Sequence, residues 1–144
     1  MRMPSRASGY PAVEGADSSP KILFVDDKDD IFSEYQELVE TIDPCSLCES
    51  DPIRAIRTVC GTHSLQLVIT DLHMSNMDGD AMIARIREAI PAPRSVQFIL
   101  LTGGMDVSPA LWGADIPVFQ KPIDPSEFLQ AVETALYGRR QSVC

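Results

Sequence analysis

The chain has 144 residues, 44% of them apolar and 23% charged, a composition that fits one globular domain burying about two-thirds of its unfolded surface. Its 21 acids against 12 Lys and Arg leave a formal charge of −9, which argues against binding nucleic acid by neutralising phosphates. No window approaches 18 consecutive apolar residues, so no membrane span is expected.

The opening stretch "MRMPSRASGYPAVEGADSSP" carries two arginines but no apolar core of a signal sequence. Its Pro, Ser, Gly and Ala cannot bury enough surface to offset ordering, so residues 1–19 are expected to form a flexible tail. A single domain is expected over 20–138, with 139–144 as a short C-terminal tail.

From Lys21 onward strands and helices alternate. "KILFV" (21–25) is a short apolar run bounded by acids, as a strand covered on both faces should be. "IFSEYQELVETI" follows, with Ile31, Tyr35, Leu38, Val39 and Ile42 on one helical face. "CSLCE" is a weaker strand. "PIRAIRTVC" reads as a helix with Asp51 as N-cap and Pro52 in its first position. "LQLVIT" is the third strand, and "GDAMIARIREAI" a helix with Met82, Ile83, Ile86 and Ile90 turned inward. "VQFILL" is the fourth strand and "SPALWGA" a stunted helix, capped by Ser108 with Pro109 in its first turn. "PVFQ" is the fifth strand. The last helix, "DPSEFLQAVETALYG", opens on Asp124, Pro125 and Glu127, buries Phe128, Leu129, Val132 and Leu136, and stops at Gly138.

Five βα units in this order predict an α/β fold: a parallel sheet with helices on both faces. Ligands of such sheets bind beyond the carboxyl ends of the strands, where strand order reverses. The residues just past each strand therefore matter most. They are Asp26 and Asp27 after the first, Asp71 after the third, Thr102 with Gly103 and Gly104 after the fourth, and Lys121 before Pro122 after the fifth. Three crowded carboxylates repel one another unless a hard cation sits among them, and magnesium, which prefers oxygen ligands, is the natural occupant. A carboxylate there can serve as a covalent nucleophile, and Lys121 can meet a phosphoryl oxygen as a point charge.

The segments "FVDD", "VITDLHMSNMDG", "LLTGG" and "FQKP", in this order, resemble the receiver domain of bacterial response regulators, the phosphate-accepting half of two-component signalling. The resemblance covers residues 21–138 and implies a flavodoxin-like fold with a five-stranded parallel sheet of order 2-1-3-4-5. It implies that Asp71 is the phosphoacceptor, assisted by Lys121 and Thr102. It also implies a Mg2+ site formed by Asp26, Asp27, Asp71 and the backbone carbonyl of His73, and a cis peptide at Lys121–Pro122. The implied partners are a sensor histidine kinase or His-phosphotransfer protein and a downstream protein effector. Neither nucleic acid nor membrane is expected as a partner.

A single-domain regulator of the cytoplasm is the leading expectation, with a receiver excised from a hybrid histidine kinase or larger regulator as the alternative. A phosphohydrolase of the haloacid dehalogenase type is more remote, because His73 stands where that chemistry wants a second acid. Three departures from the receiver pattern stand out, the first being a segment between Gly104 and Gly113 about one helical turn shorter than usual, which gives a short fourth helix. Ser75 replaces the usual proline, and Val118 replaces the usual aromatic switch residue, with Phe119 one place later and facing the opposite side of the sheet. Met74 and Met77 are expected to cover the loop against the sheet. Cys45, Cys48, Cys60 and His63 have the spacing of a zinc site, but a metal there requires a turn at Cys45–Cys48, and free buried thiols are the expectation.

Overall fold

In the computed structural model the described residues are 19–27, 34–103 and 116–138. The expected stunted helix over 108–114, with Ser108 and Pro109, lies outside them, as do Ile31, Gly104, the C-terminal tail and all of the N-terminal tail but Ser19. The elements run β1 (Ile22–Val25), α1 (Glu34–Ile42), β2 (Leu47–Glu49), α2 (Pro52–Gly61), β3 (Leu67–Asp71), α3 (Gly79–Ala89), β4 (Gln97–Thr102), β5 (Val118–Gln120) and α4 (Pro125–Tyr137). All strand pairs are parallel, in the expected order β2-β1-β3-β4-β5.

Side chains alternate cleanly across the sheet, as the two-residue period of a strand requires. Leu23, Val25, Val68, Phe98 and Leu100 pack on one face against Ala55 and Val59 of α2 and Met82, Ile83 and Ile86 of α3. Ile22, Phe24, Leu67, Ile69, Ile99 and Leu101 pack on the other against Tyr35 and Val39 of α1 and Phe128 and Val132 of α4. Val118 leans on the first cluster and Phe119 on the second, as alternation predicts. Ile90 and Leu136 are partly buried against their clusters, while Leu129 is only half-buried rather than a core residue.

The helix starts follow their capping signals. Asp51 accepts a hydrogen bond from the Ile53 amide at 3.0 Å, and Asp124 one from the Glu127 amide at 3.0 Å; proline opens both helices. Gly138 ends α4 with φ of 72°, a left-handed conformation that a side chain would strain.

Two polar staples hold the strands' amino ends, away from the crevice. Buried Asp43 accepts from the amides of Lys21 (2.8 Å), Ile22 (3.0 Å) and Cys45 (3.1 Å), fixing the end of α1 to the start of β1. Arg94, in the α3–β4 connection, donates to the carbonyls of Val59 (2.8 Å) and Thr62 (3.0 Å) at the end of α2.

The cysteines depart from expectation. Cys45 lies in a turn and not on the strand, Cys45 and Cys48 are exposed, and Cys60 is half-buried; all three are free thiols. The segment before β2 leaves α1 directly, and its apolar content is too low to draw these side chains inward. Among the described residues, no three His, Cys, Asp or Glu side chains converge closely enough to hold a metal ion.

Candidate functional site in the crevice beyond the strands

Strand order reverses between β1 and β3, so the turns leaving these two strands diverge and open a crevice. Asp71 sits there as the last residue of β3, one place further along the strand than its apolar run suggests, and is 3% exposed. Its backbone is locked in the sheet, with the Leu72 amide donating to the Leu101 carbonyl at 2.8 Å. The loop after Asp71 returns at once. The Gly79 amide donates to the Leu72 carbonyl at 2.7 Å, and a methyl group at position 79 would collide with the Asp71 carbonyl. Only glycine lets α3 start this close to the strand end. Met74 is buried in the adjoining core and Met77 leans on it, which covers the loop as expected.

Lys121 reaches the site from the other side. Its amide donates to the Thr102 carbonyl at 2.8 Å, continuing the β4–β5 ladder, and its peptide bond to Pro122 is cis. The ammonium Nζ lies 2.8 Å from Asp71 Oδ1. Thr102, 4% exposed, ends β4 one position beyond Leu101, the residue in register with Asp71.

A residue that periodicity marked only as core completes this side. The Tyr35 ring lies 5.9 Å from Lys121 Nζ, packs edge-on against Phe128, and its hydroxyl accepts from the Ile123 amide at 3.0 Å. Helical spacing placed Tyr35 on the inner face, and a buried phenol needs a partner for its tip; that was the available signal.

The acids divide. Asp26 lies within hydrogen-bonding reach of the Asp71 carboxyl, while Oδ2 of Asp27 accepts from the amide and the hydroxyl of Ser75, each at 2.7 Å. The crevice thus gathers Asp71, Asp26 and Lys121, with Thr102 at the end of the adjoining strand, while Oδ2 of Asp27 is engaged by Ser75. His73 is exposed in the same loop as Ser75.

Oδ1 of Asp71 is met by the Lys121 ammonium, whereas its buried Oδ2 has no hydrogen-bond donor among the described residues, the neighbouring Asp26 carboxylate being an acceptor like itself. Burial first, then Asp26, push the Asp71 pKa from 3.8 up to about 6, against the lowering pull of Lys121. A buried carboxylate oxygen without a donor, beside a second carboxylate, offers hard ligands that suit a Mg2+-like cation.

A doubly wound parallel sheet with paired acids, a hydroxyl and a lysine at its switch point defines a flavodoxin-like α/β domain whose chemistry faces one crevice. The profile of the response regulator receiver domain matches residues 22–133, and the chain belongs to that family. The two-component response regulator PprB of Pseudomonas aeruginosa is 28% identical over 115 residues, covering 78% of this chain and 42% of its own length. This chain therefore spans less than half of that relative. Among solved structures, the signal receiver domain of an HD domain-containing protein from Pseudomonas fluorescens Pf-5 is 29% identical, with a TM-score of 0.69 over 85% of this chain and 98% of that one. A two component transcriptional regulator AraC from Clostridium phytofermentans ISDg is 26% identical, with a TM-score of 0.64 over 86% and 97%. A response regulator receiver protein from Sinorhizobium medicae WSM419, at 20% identity and a TM-score of 0.70 over 84% and 97%, shares the fold. Family membership makes this a signalling domain of the receiver type.

Proposed function

We propose that the chain accepts a phosphoryl group on Asp71 from a phosphohistidine of a sensor kinase or His-phosphotransfer protein, and that the modification switches its binding to a downstream protein. The observation that carries this reading is the buried Asp71 carboxylate ion-paired at 2.8 Å with Lys121 and flanked by Asp26 at the switch point of the sheet. In transfer, an oxygen of Asp71 forms the bond to phosphorus while the phosphorus–nitrogen bond of the donor breaks, its electron pair leaving with the imidazole, which takes up a proton. Lys121 then neutralises a phosphoryl oxygen, so the ion pair with Asp71 is replaced by one with the phosphoryl group. The Thr102 hydroxyl, at the end of the adjoining strand, supplies a hydrogen-bond donor to the same group. Mg2+ held by Asp26, Asp71, Asp27 and the His73 carbonyl would neutralise the charge that gathers on the phosphoryl oxygens.

The phosphoryl group carries about −1.5 to −2 charge in place of the carboxylate's −1 and brings three strong acceptor oxygens to the mouth of the crevice, which is the local event that a switch needs. With Val118 at the usual aromatic position, the Tyr35–Phe128 pair is the aromatic contact that lies next to Lys121. The charge of −9 favours a protein effector over nucleic acid. The reading places the chain in the cytoplasm, where its kinase partner would act; among the described residues no helix is long and apolar enough to cross a membrane.

Incubation with acetyl phosphate or phosphoramidate and MgCl2, followed by intact-mass spectrometry, tests the proposal. One phosphoryl adduct is expected on the wild type and none on Asp71→Asn. A wild type that stays unmodified, or a mutant modified to the same extent, overturns it.

A further inference from the structure

Two loops that meet beside Asp71 are joined by a contact the sheet does not require. Oδ2 of Asp27 takes two hydrogen bonds of 2.7 Å from Ser75, one from its amide and one from its hydroxyl, across 48 positions of sequence. Both donors depend on which residue stands at 75. Alanine would keep only the amide, and proline would supply neither. The clasp leaves the acids of the crevice unevenly placed, with Asp26 against the Asp71 carboxyl and Asp27 held on the β3–α3 loop.

We infer that Ser75 is a positioning residue that competes with a divalent cation for the Asp27 carboxylate, so that the cation site closes as Asp27 exchanges Ser75 for the metal and the β3–α3 loop is released. The inference rests on the cation reading proposed above. Oδ2 of Asp27 already accepts two short hydrogen bonds, so a hard cation that takes this oxygen must displace Ser75 from its lone pairs. Asp27 is half-buried and Ser75 exposed, so the exchange needs no movement of the core. The two events are linked in both directions: freeing Asp27 from Ser75 strengthens cation binding, and cation binding loosens the loop. That loop starts at Asp71 and carries His73, so occupancy of the cation site is transmitted to the backbone next to the phosphoacceptor.

The test uses the full chain stripped of metal, titrated with MgCl2 by isothermal calorimetry and by amide NMR. Ser75→Ala should bind Mg2+ about threefold more tightly than the wild type and Ser75→Pro about tenfold, the range set by one and two net hydrogen bonds. Ser75→Thr, which keeps both donors, should match the wild type. In the wild type the Ser75 amide resonance should move, and its hydrogen exchange should accelerate, as Mg2+ saturates. Equal or weaker binding by the alanine and proline variants overturns the inference and leaves the cation reading standing. Absence of Mg2+ binding in the wild type and all variants overturns both.

Discussion

The two sides of the crevice are built to different standards. On the lysine side, β4, β5, α1 and α4 meet: Lys121 is tied through its amide to Thr102, its ammonium to Asp71, and the turn after it to the Tyr35 hydroxyl. On the acid side, Asp27 and Ser75 sit in loops and are bonded to each other through Oδ2 of Asp27. The permanent cation is therefore preorganised by packed elements, whereas the place for an exchangeable one is left to loops. A fixed charge benefits from rigid support, because the cost of desolvating it is met once, during folding. An exchangeable ion needs ligands that can move without disturbing the core.

The strongest way to sharpen this contrast is to remove the carboxylate on which both sides converge. Asp71 has its pKa raised, so relative to the unfolded chain it favours the folded state in full below about pH 4, and this contribution is lost as pH rises through about 6. In metal-free protein, Asp71→Asn should match the wild type in stability near pH 4 and exceed it above pH 6 by up to about 3 kcal/mol, at about 1.4 kcal/mol per pH unit. Urea denaturation in EDTA at the two pH values checks it.

Next in size is Lys121→Met, which keeps the stem against Tyr35 and removes the charge. It should cost about 1 to 2 kcal/mol at pH 8, with the loss vanishing near pH 4, where Asp71 is protonated with or without the lysine. Urea curves at both pH values read the cost, and NMR of the Asp71 carboxyl should show a midpoint above that of the wild type. Smaller again is Tyr35→Phe. It leaves the buried Ile123 amide without its acceptor, at a cost of about 1 kcal/mol in the same denaturation assay. If that substitution changed nothing, the lysine side would be less tightly braced than its geometry indicates.

Much of this was readable in advance, and the reason is local. The alternation of strands and helices follows from hydrophobic periods, and the caps at Asp51 and Asp124 are properties of a few adjacent residues. Once the sheet is parallel, the side chains just past its strands must gather at one end, which placed Asp26, Asp71, Thr102 and Lys121. The rest depends on loops closing over long separations. Nothing near Asp27 in the sequence signals Ser75, and nothing near Asp43 shows that its carboxylate collects three backbone amides. The helical period puts Tyr35 on the inner face but does not name the Ile123 amide as the partner of its hydroxyl, because that pairing spans 88 positions. The cysteines misled because "CSLCE" was treated as one extended segment, when its first residue belongs to a turn.

Arg94 gives the molecule a floor. By binding carbonyls at the end of α2 from the connection that follows α3, it welds these two helices together at the end of the sheet furthest from the crevice. Any rearrangement that begins at the mouth must then swing like a page from its spine, with the largest excursions at the loops around Asp71 and almost none at the bound edge. A probe placed at the rim would feel the full arc, and one placed at the base almost none of it.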